Sequence, residues 1–320
     1  MTGYVARRIF QMIPVVLTII VFNFILIHLA PADPAVIIAG ERGTAEYVEA
    51  IRKAWGLDRP LHDQFAIYLA KVLQGDLGYS YTFQRPVLEL ITERTPTTLL
   101  LVIPSQLLSL ALGTLIGALC AKKHGSRSDS LISLSSIALY SVPVFWLGLI
   151  LVILFGIFLP LFPIWGFIST DVELSGWAYV ADMVWHLFLP VLTLSGAYLP
   201  RYIRLARSSV MEVMMEDFVT TARAKGLTEN SVFFKHALRN ALLPTITQAG
   251  LLLGFVLAGA IVTESVFGWP GLGRLMYTSI LARDYPMLMG LFLVTSVCVV
   301  IASLVTDIAY AFLDPRVVYR

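Results

Sequence analysis

From Ile9 to Leu29 the chain runs 21 residues without an Asp, Glu, Lys or Arg, about the length a helix needs to cross the hydrocarbon of a bilayer. Such a run can satisfy its backbone in lipid only by coiling into a helix, so it commits the chain to a membrane. Ala30-Pro31-Ala32 could pass for a cleavage site, but the apolar core of a signal peptide is about 7 to 15 residues, and the segment reads as an uncleaved first span. Five further apolar runs follow, from Thr97 to Ala121, Leu131 to Leu159, Leu187 to about Tyr202, Leu242 to Phe267 and Pro286 to Leu313. Composition agrees. The 320 residues are 58% hydrophobic and 14% charged, where a soluble domain has roughly 25% charged. The expected fold is an all-α integral membrane protein with six transmembrane helices. A formal net charge of +2, spread over several loops and not collected in a patch, is too small to suggest a nucleic-acid partner.

Charge sets the orientation. With the N-terminus inside, the short inner segments hold 14 Lys and Arg, and the short outer loops hold two, Arg274 and Arg283. The other seven bases lie between Pro31 and Pro96, a region long enough for the bias to be weak. That region has its own amphipathic order. Thr44 to Trp55 predicts a helix with Tyr47, Val48, Ile51 and Trp55 on one stripe, closed by Gly56, and Pro60 to Gly75 predicts a second with Phe65, Tyr68, Leu69 and Val72. Both suit a cap on the outer membrane surface. Within the third span Pro143 invites a break. In the loop from Pro160 to His186, Trp165, Trp177 and Trp185 suit the membrane interface. Gly113, Gly117, Gly148, Gly156, Gly254 and Gly259 lie within spans, where small residues permit close helix packing. Cys120 and Cys298 lie in apolar runs and read as small buried side chains.

The longest polar interruption of the second half runs from Glu216 to Pro244. Met211 to Lys225 predicts a helix with Glu212, Glu216 and Asp217 near its start and Arg223 and Lys225 near its end, as the helix dipole favours. Gly226 stops it, and Thr228 can cap a second helix carrying Val232, Phe233, Ala237 and Leu238 on one side, with Lys235 and Arg239 elsewhere. The product is an L-shaped helix pair at the membrane surface, on the cytoplasmic side by the charge count.

The run Thr220-Thr221-Ala222-Arg223-Ala224-Lys225-Gly226 resembles the EAA motif of ABC importer permeases. The extended form ending His236-Ala-Leu-Arg-Asn-Ala-Leu-Leu-Pro244 resembles the dipeptide, oligopeptide and nickel permease family. Thr220 stands where the general motif has Glu, and Leu243-Pro244 comes five residues late, leaving Leu238-Arg239 there; both departures are similar to the peptide and nickel branch. Gly56 to Leu61, Gly75 to Gly78, Phe267 to Gly273, Arg283 to Pro286 and Leu313 to Arg316 carry the same resemblance.

The resemblance implies a type I ABC importer permease fold. Residues 1–30 would form the N-terminus and first span, 31–96 an extracytoplasmic helical cap, 97–313 a five-span core with a coupling segment at 207–243, and 314–320 a cytoplasmic C-terminus. It implies that Thr221, Ala222, Arg223, Ala224, Lys225, Gly226, Leu227 and Thr228 couple the chain to an ATPase. The implied partners are a second homologous permease, two cytoplasmic ATP-binding subunits and an extracytoplasmic substrate-binding protein. The implied location is the cytoplasmic (inner) membrane, both termini inside. The main cargo reading is di- or oligopeptides, with nickel or metal chelates, glutathione and opines as alternatives.

No Gly-rich loop ending in Gly-Lys-Ser/Thr is present to hold nucleotide phosphates, so ATP and Mg are expected on the partner ATPases, with no cofactor, metal or catalytic residue in this chain. An intramembrane serine protease would need Ser195 and His186 as its pair, but nine residues on one helix separate them by about 13.5 Å, and no Gly-x-Ser-x-Gly frames Ser195. A non-transporting scaffold leaves the L-shaped segment unexplained. Ionisable groups in the spans mark pathway or gate candidates. Glu264 reads either as one or as the structural partner of Arg274 or Arg283; Trp269 lies in the glycine-rich outer turn from Phe267 to Gly273; Asp307 reads more readily as a helix–helix contact; His28 lies near the outer end of span one.

Overall fold

The structure, a computed structural model, describes residues 2–29, 33–39, 43–54, 56–171 and 173–313. In chain order its helices are α1 (Thr2–Leu29), α2 (Pro34–Ala39), α3 (Ala45–Ala54), α4 (Leu61–Leu73), α5 (Val87–Lys122), α6 (Arg127–Ser141), α7 (Val144–Val152), α8 (Gly176–Val213), α9 (Asp217–Ala224), α10 (Glu229–Ser231), α11 (Leu238–Gly259), α12 (Ile261–Val266), α13 (Leu272–Leu281) and α14 (Tyr285–Leu313). Strands β1 (Tyr79–Ser80) and β2 (Arg85–Pro86) form an antiparallel hairpin with Ser80 opposite Arg85. The described residues divide into two compact units, one from residues 2–98 and Pro270–Leu304, the other from Leu99–Trp269 and residues 305–313.

In the first unit the expected outer helices form as α3 and α4. Asp33 accepts the Ala35 amide at 2.8 Å at the start of α2, and this bond, aided by Arg52, holds the Asp33 carboxyl below the usual carboxylate range. Thr44 accepts the Tyr47 amide at 3.3 Å and so caps α3 with its side chain. Helix α4 packs directly on the first span: Ile20, Tyr68 and Leu293 share a core, Phe24 and Phe65 meet edge to face at 5.3 Å, and His28 Nε2 lies 2.8 Å from Gln64 Oε1. Asn23 donates from Nδ2 to the Met289 carbonyl at 3.1 Å, which ties α1 to α14. Trp55, expected on the α3 stripe, lies outside the described residues, as do residues 314–320 and the side chain of Asp307.

In the second unit α8 is the hub, packing on α6, α7 and α11, and α5 crosses it closely. A Cβ on Gly117 would stand 2.4 Å from the Ile203 carbonyl oxygen and 3.0 Å from Ala206 Cβ, so the two backbones meet where only glycine fits. Beside that seam Ser195 donates to the Ser105 carbonyl at 3.1 Å, and Ser109 donates to the Ser195 carbonyl at 2.9 Å. These reciprocal bonds fix the rotation of one helix about the other. Leu101, Val102, Leu187, Leu194, Ala260 and Trp269 fill the adjoining core.

Among the described residues four helices, α1, α5, α8 and α14, are long and apolar enough to cross a membrane, and α6 with α7 and its extension makes a fifth when the bent pair counts as one span. The bend is 99° and falls at Pro143, as its position in the apolar run predicts. Beyond Val152 the coil loosens to i→i−5 bonding, with the Leu159 amide on the Leu154 carbonyl at 3.0 Å. The 22-residue α11 supplies most of the remaining expected span.

Several boundaries differ from the sequence reading. Helix α5 begins at Val87 instead of Thr97, and α8 begins at Gly176 instead of Leu187 and continues to Val213. A helix does not stop where the hydrocarbon stops: it continues through polar residues until a breaker or a cap ends it. The expected helix from Met211 to Lys225 is split by a turn at Met214–Glu216, where Glu216 takes an extended conformation (φ −73°, ψ 148°) ahead of α9.

A candidate coupling segment

The L-shaped segment is assembled from α9, the turn at Gly226 and α10, whose coil runs on through Ala237 in i→i−5 form into α11. Gly226 has φ +76° and a Cβ there would meet nothing within 4 Å, so glycine is required by backbone conformation and not by space. Thr228 takes the extended conformation of a helix cap (φ −65°, ψ 146°), but its hydroxyl makes no capping bond. The expected stripe on the second arm forms: Val232, Phe233 and Ala237 are buried, while Lys235 and Arg239 are exposed.

The two arms close on each other. Val219 and Ala222 of α9 are buried against Val232 and Ala237, with Val213 and Met214 packed alongside. Ala222, expected at the exposed face, therefore points inward; a small side chain there lets α9 lie close on the second arm. Thr221, Arg223, Ala224, Lys225, Gly226, Leu227 and Thr228 are all exposed. Apolar side chains on the same segment are exposed as well, with Met215 82% and Phe234 48% exposed.

Polar contacts that motif reading missed hold this shape. Arg223 Nε donates to Glu229 Oε1 at 2.9 Å across the Gly226 turn. Lys122, at the end of α5, donates to Asn230 Oδ1 at 2.8 Å and lies over the Phe234 ring, 5.1 Å from its centre. The loop after α5 is itself pinned: Asp129 is buried, accepts Arg207 Nε at 2.7 Å and Arg207 Nη2 at 2.9 Å, and takes the Gly125 amide at 3.1 Å. The sequence shows Asp129 three residues after Ser126, a capping spacing, and the Ser126 hydroxyl does accept the Asp129 amide at 3.2 Å; nothing in the sequence points from Asp129 to Arg207.

The pathway candidates lie elsewhere. Glu264 and Trp269 are fully buried, and the Trp269 amide donates to the Glu264 carbonyl at 2.8 Å. The Trp269 ring packs on Phe167 at 4.8 Å, and the Gly166 amide donates to the Phe267 carbonyl at 2.9 Å, so the turn after α12 is anchored to the loop after α7. Asp307 is carried on α14.

Ser195 and His186 are not a catalytic pair: the Ser195 hydroxyl is spent on Ser105, and His186 Nδ1 sits 2.9 Å from the Asp182 carbonyl one turn back on the same helix. Among the described residues no group of three His, Cys, Asp or Glu is placed to hold a metal.

With its membrane-length helices and an exposed L-shaped segment the chain has a type I importer permease fold, and a solved structure of the MetNI methionine ABC transporter has this fold, with TM-score 0.56 over 70% of this chain and 96% of that one at 15% identity. Residues 113–319 match the binding-protein-dependent transport system inner membrane component family, and residues 1–102 match the N-terminal model of the same transport systems. The chain belongs to this family. It is similar over its full length to the oligopeptide transport system permease protein AppB of Bacillus subtilis, at 38% identity over 100% of both chains. It is similar likewise to the glutathione transport system permease protein GsiC of Salmonella paratyphi A, at 40% over 100% of both, and to that of Escherichia coli K12, at 38% over 100% of both. It is a multi-pass inner-membrane transport component and not an enzyme, and membership implies an ATPase and a substrate-binding partner.

Proposed function

We propose that the chain is the membrane-spanning subunit of an ATP-driven importer of di- or oligopeptides, and that Thr221 to Thr228 form the surface on which an ATPase subunit docks. The observation that carries this reading is the exposed yet internally clamped segment from α9 to α10: a surface built to transmit force must be both accessible and stiff. The full-length similarity to an oligopeptide permease supports the cargo class. A tripeptide cargo, glutathione, is the second reading, supported by the full-length relatives of that name.

In this reading the working assembly holds a second, similar permease, two cytoplasmic ATP-binding subunits that carry ATP and Mg, and an extracytoplasmic binding protein that delivers the cargo. The coupling segment and both termini face the cytoplasm in this reading, which the excess of Lys and Arg in the short inner loops supports. Residues 31–96 form the extracytoplasmic cap of this reading, and 97–313 the permease core. Closure of the ATPases on ATP moves the docked segment, and α11, continuous with its second arm, carries that movement into the bundle. Glu264 and Trp269, buried beside the turn after α12, act here as gate positions, with Asp307 as a helix contact. Co-purification from membranes with an ATPase subunit, followed by uptake of labelled dipeptide and labelled glutathione in proteoliposomes, tests the reading. Dipeptide or oligopeptide uptake dependent on ATP supports it; uptake of glutathione alone moves the cargo to the second reading.

A further inference from the structure

In its C-terminal half α8 carries Ala197, Arg201, Arg204 and Ser208 at helical spacing, which puts them on one face. Arg204 and Ser208 are exposed and Ala197 and Arg201 half-buried, so a polar face lies open on a membrane-length helix. The face beside it is closed by α6, where Ser136 donates to the Pro200 carbonyl at 3.4 Å and Arg207 holds the buried Asp129. The end of α6 adds Tyr140 to the open face: the Arg204 guanidinium lies over its ring, 4.6 Å from the centre, and Arg201 stands beside it. Two guanidiniums thus share one face without a counter-charge. Asp129 is spent on Arg207, and Glu212, the nearer of the two acids on α8, is eight residues from Arg204, about 12 Å along the axis. Among the described residues neither Arg201 nor Arg204 makes an ion pair.

Depth gives this arrangement its meaning. Tyr140 is 13 residues from the start of α6 at Arg127, about 20 Å along the helix, and arginine side chains on α8 lean toward its N-terminus, further into the bundle. Between Arg127 and Tyr140, α6 exposes Leu131, Leu134 and Ile137, side chains suited to the hydrocarbon layer. An arginine at that depth is tolerated where it faces water, a partner charge or a transport path. We infer that Arg201, Arg204 and Tyr140 form an anion site on the translocation path, and that its ligand is the carboxylate of the cargo, the C-terminal group of a peptide. As to cargo the inference rests on the proposed function. A carboxylate between two guanidiniums relieves their repulsion through charge-assisted, planar bonds, which Arg makes better than any other side chain. A lipid phosphate belongs at the polar end of α6, where Lys123 and Arg127 are exposed, and would have to pass the level of Leu131 and Leu134 to reach Tyr140.

The test reads water and potential at this face directly. In a chain lacking Cys120 and Cys298, Ala197→Cys is treated with an anionic sulfonate and with a cationic ammonium methanethiosulfonate, the chain being assembled with its partner subunits in nanodiscs. Ser208→Cys, a conservative change at an exposed position of the same face, repeats the measurement whether or not Ala197→Cys folds. Relative to a free thiol, the anionic reagent is expected to react about tenfold or more faster than the cationic one, and Arg201→Gln together with Arg204→Gln to bring the ratio close to one. The dipeptide alanyl-leucine is expected to slow modification several-fold, and its C-terminal amide to leave it unchanged. No modification of either cysteine means that lipid or the second permease covers the face, and overturns the inference. Equal protection by acid and amide, or protection by neither, also overturns it. So does slower modification in phosphatidylglycerol than in phosphatidylcholine nanodiscs with no effect of the dipeptide, which makes the site a headgroup contact. Uptake in proteoliposomes keeps the two readings apart: peptide import without protection by alanyl-leucine refutes the site alone, and protection without peptide import keeps the carboxylate site and refutes the cargo reading.

Discussion

Arg223 and Glu229 stand on opposite sides of the Gly226 turn, and their side chains meet at 2.9 Å, so that an ion pair spans the corner of the L. Both are largely solvent-exposed, at 41% and 67%, and an exposed pair contributes about 0.2 to 1 kcal/mol. Its value lies in fixing the angle between α9 and α10. Arg223→Glu is therefore expected to leave accumulation of the protein unchanged and to lower uptake several-fold, and the exchange Arg223→Glu with Glu229→Arg to restore most of it. A double-mutant cycle on uptake rate measures the coupling; independent effects of the two substitutions would show that the pair does not set the corner.

Lys122 connects the loop after α5 to the second arm through Asn230 and the Phe234 ring. Lys122→Met keeps the length of the side chain and removes the charge and the donor. Reduced ATP-driven uptake at normal protein levels is expected, with a smaller change when Lys123, which makes no such contact, is replaced in the same way. Equal effects at both positions would assign the loss to loop charge alone.

Asp129 and Arg207 differ from the exposed pair because Asp129 is buried, 3% accessible, and removing one partner of a buried pair strands the other. Asp129→Asn should lower the unfolding temperature of the detergent-solubilised chain more than Arg223→Gln does. The same ordering is expected in the yield of folded protein from membranes.

At Gly117 any side chain meets the α8 backbone, with a Cβ 2.4 Å from the Ile203 carbonyl. Neither helix can yield without losing the Ser105, Ser109 and Ser195 bonds beside it, so Gly117→Val is expected to cost roughly 3 kcal/mol or more, at the upper end of overpacking. Size-exclusion profiles and thermal unfolding should show an unstable or aggregated protein. A stable Gly117→Val variant would mean that α5 and α8 pack less closely than described.

Much of this was legible in the residues. Pro143 marked the bend in the third span, Gly226 the corner of the L, and the alternation of Val232, Phe233 and Ala237 with Lys235 and Arg239 the buried side of the second arm. What escaped was set by contacts between segments far apart in sequence. Ala222 reads as a small exposed residue of a motif, and only its packing against Val232 and Ala237 turns it inward. The extra turns of α5 and α8 escaped because hydropathy reports the thickness of the bilayer, whereas a helix ends at its breakers. The pair Asp129 and Arg207 joins residues 78 apart, which no local pattern can announce.

The orientation proposed from the loop charges is open to a direct check. In a chain lacking Cys120 and Cys298, cysteines at Gly125 and Ser175 should label from opposite sides: Ser175→Cys with an impermeant maleimide in intact cells, Gly125→Cys only after the membrane is opened. Labelling of position 125 in intact cells would invert the topology and remove the coupling segment from the side that holds ATP.

The central claim is that the segment around Gly226 transmits ATP-driven movement. At φ +76° a β-branched side chain costs more than roughly 1 kcal/mol, too little to unfold a membrane bundle and enough to swing Ala224, Lys225 and Leu227 out of register with a docked partner. The measurement is binding-protein-stimulated ATPase activity together with peptide uptake in proteoliposomes, wild type against Gly226→Val at matched protein levels. The account predicts that Gly226→Val assembles with the ATPase subunits, loses stimulation by loaded binding protein and transports at a small fraction of the wild-type rate. Wild-type uptake by Gly226→Val would contradict it.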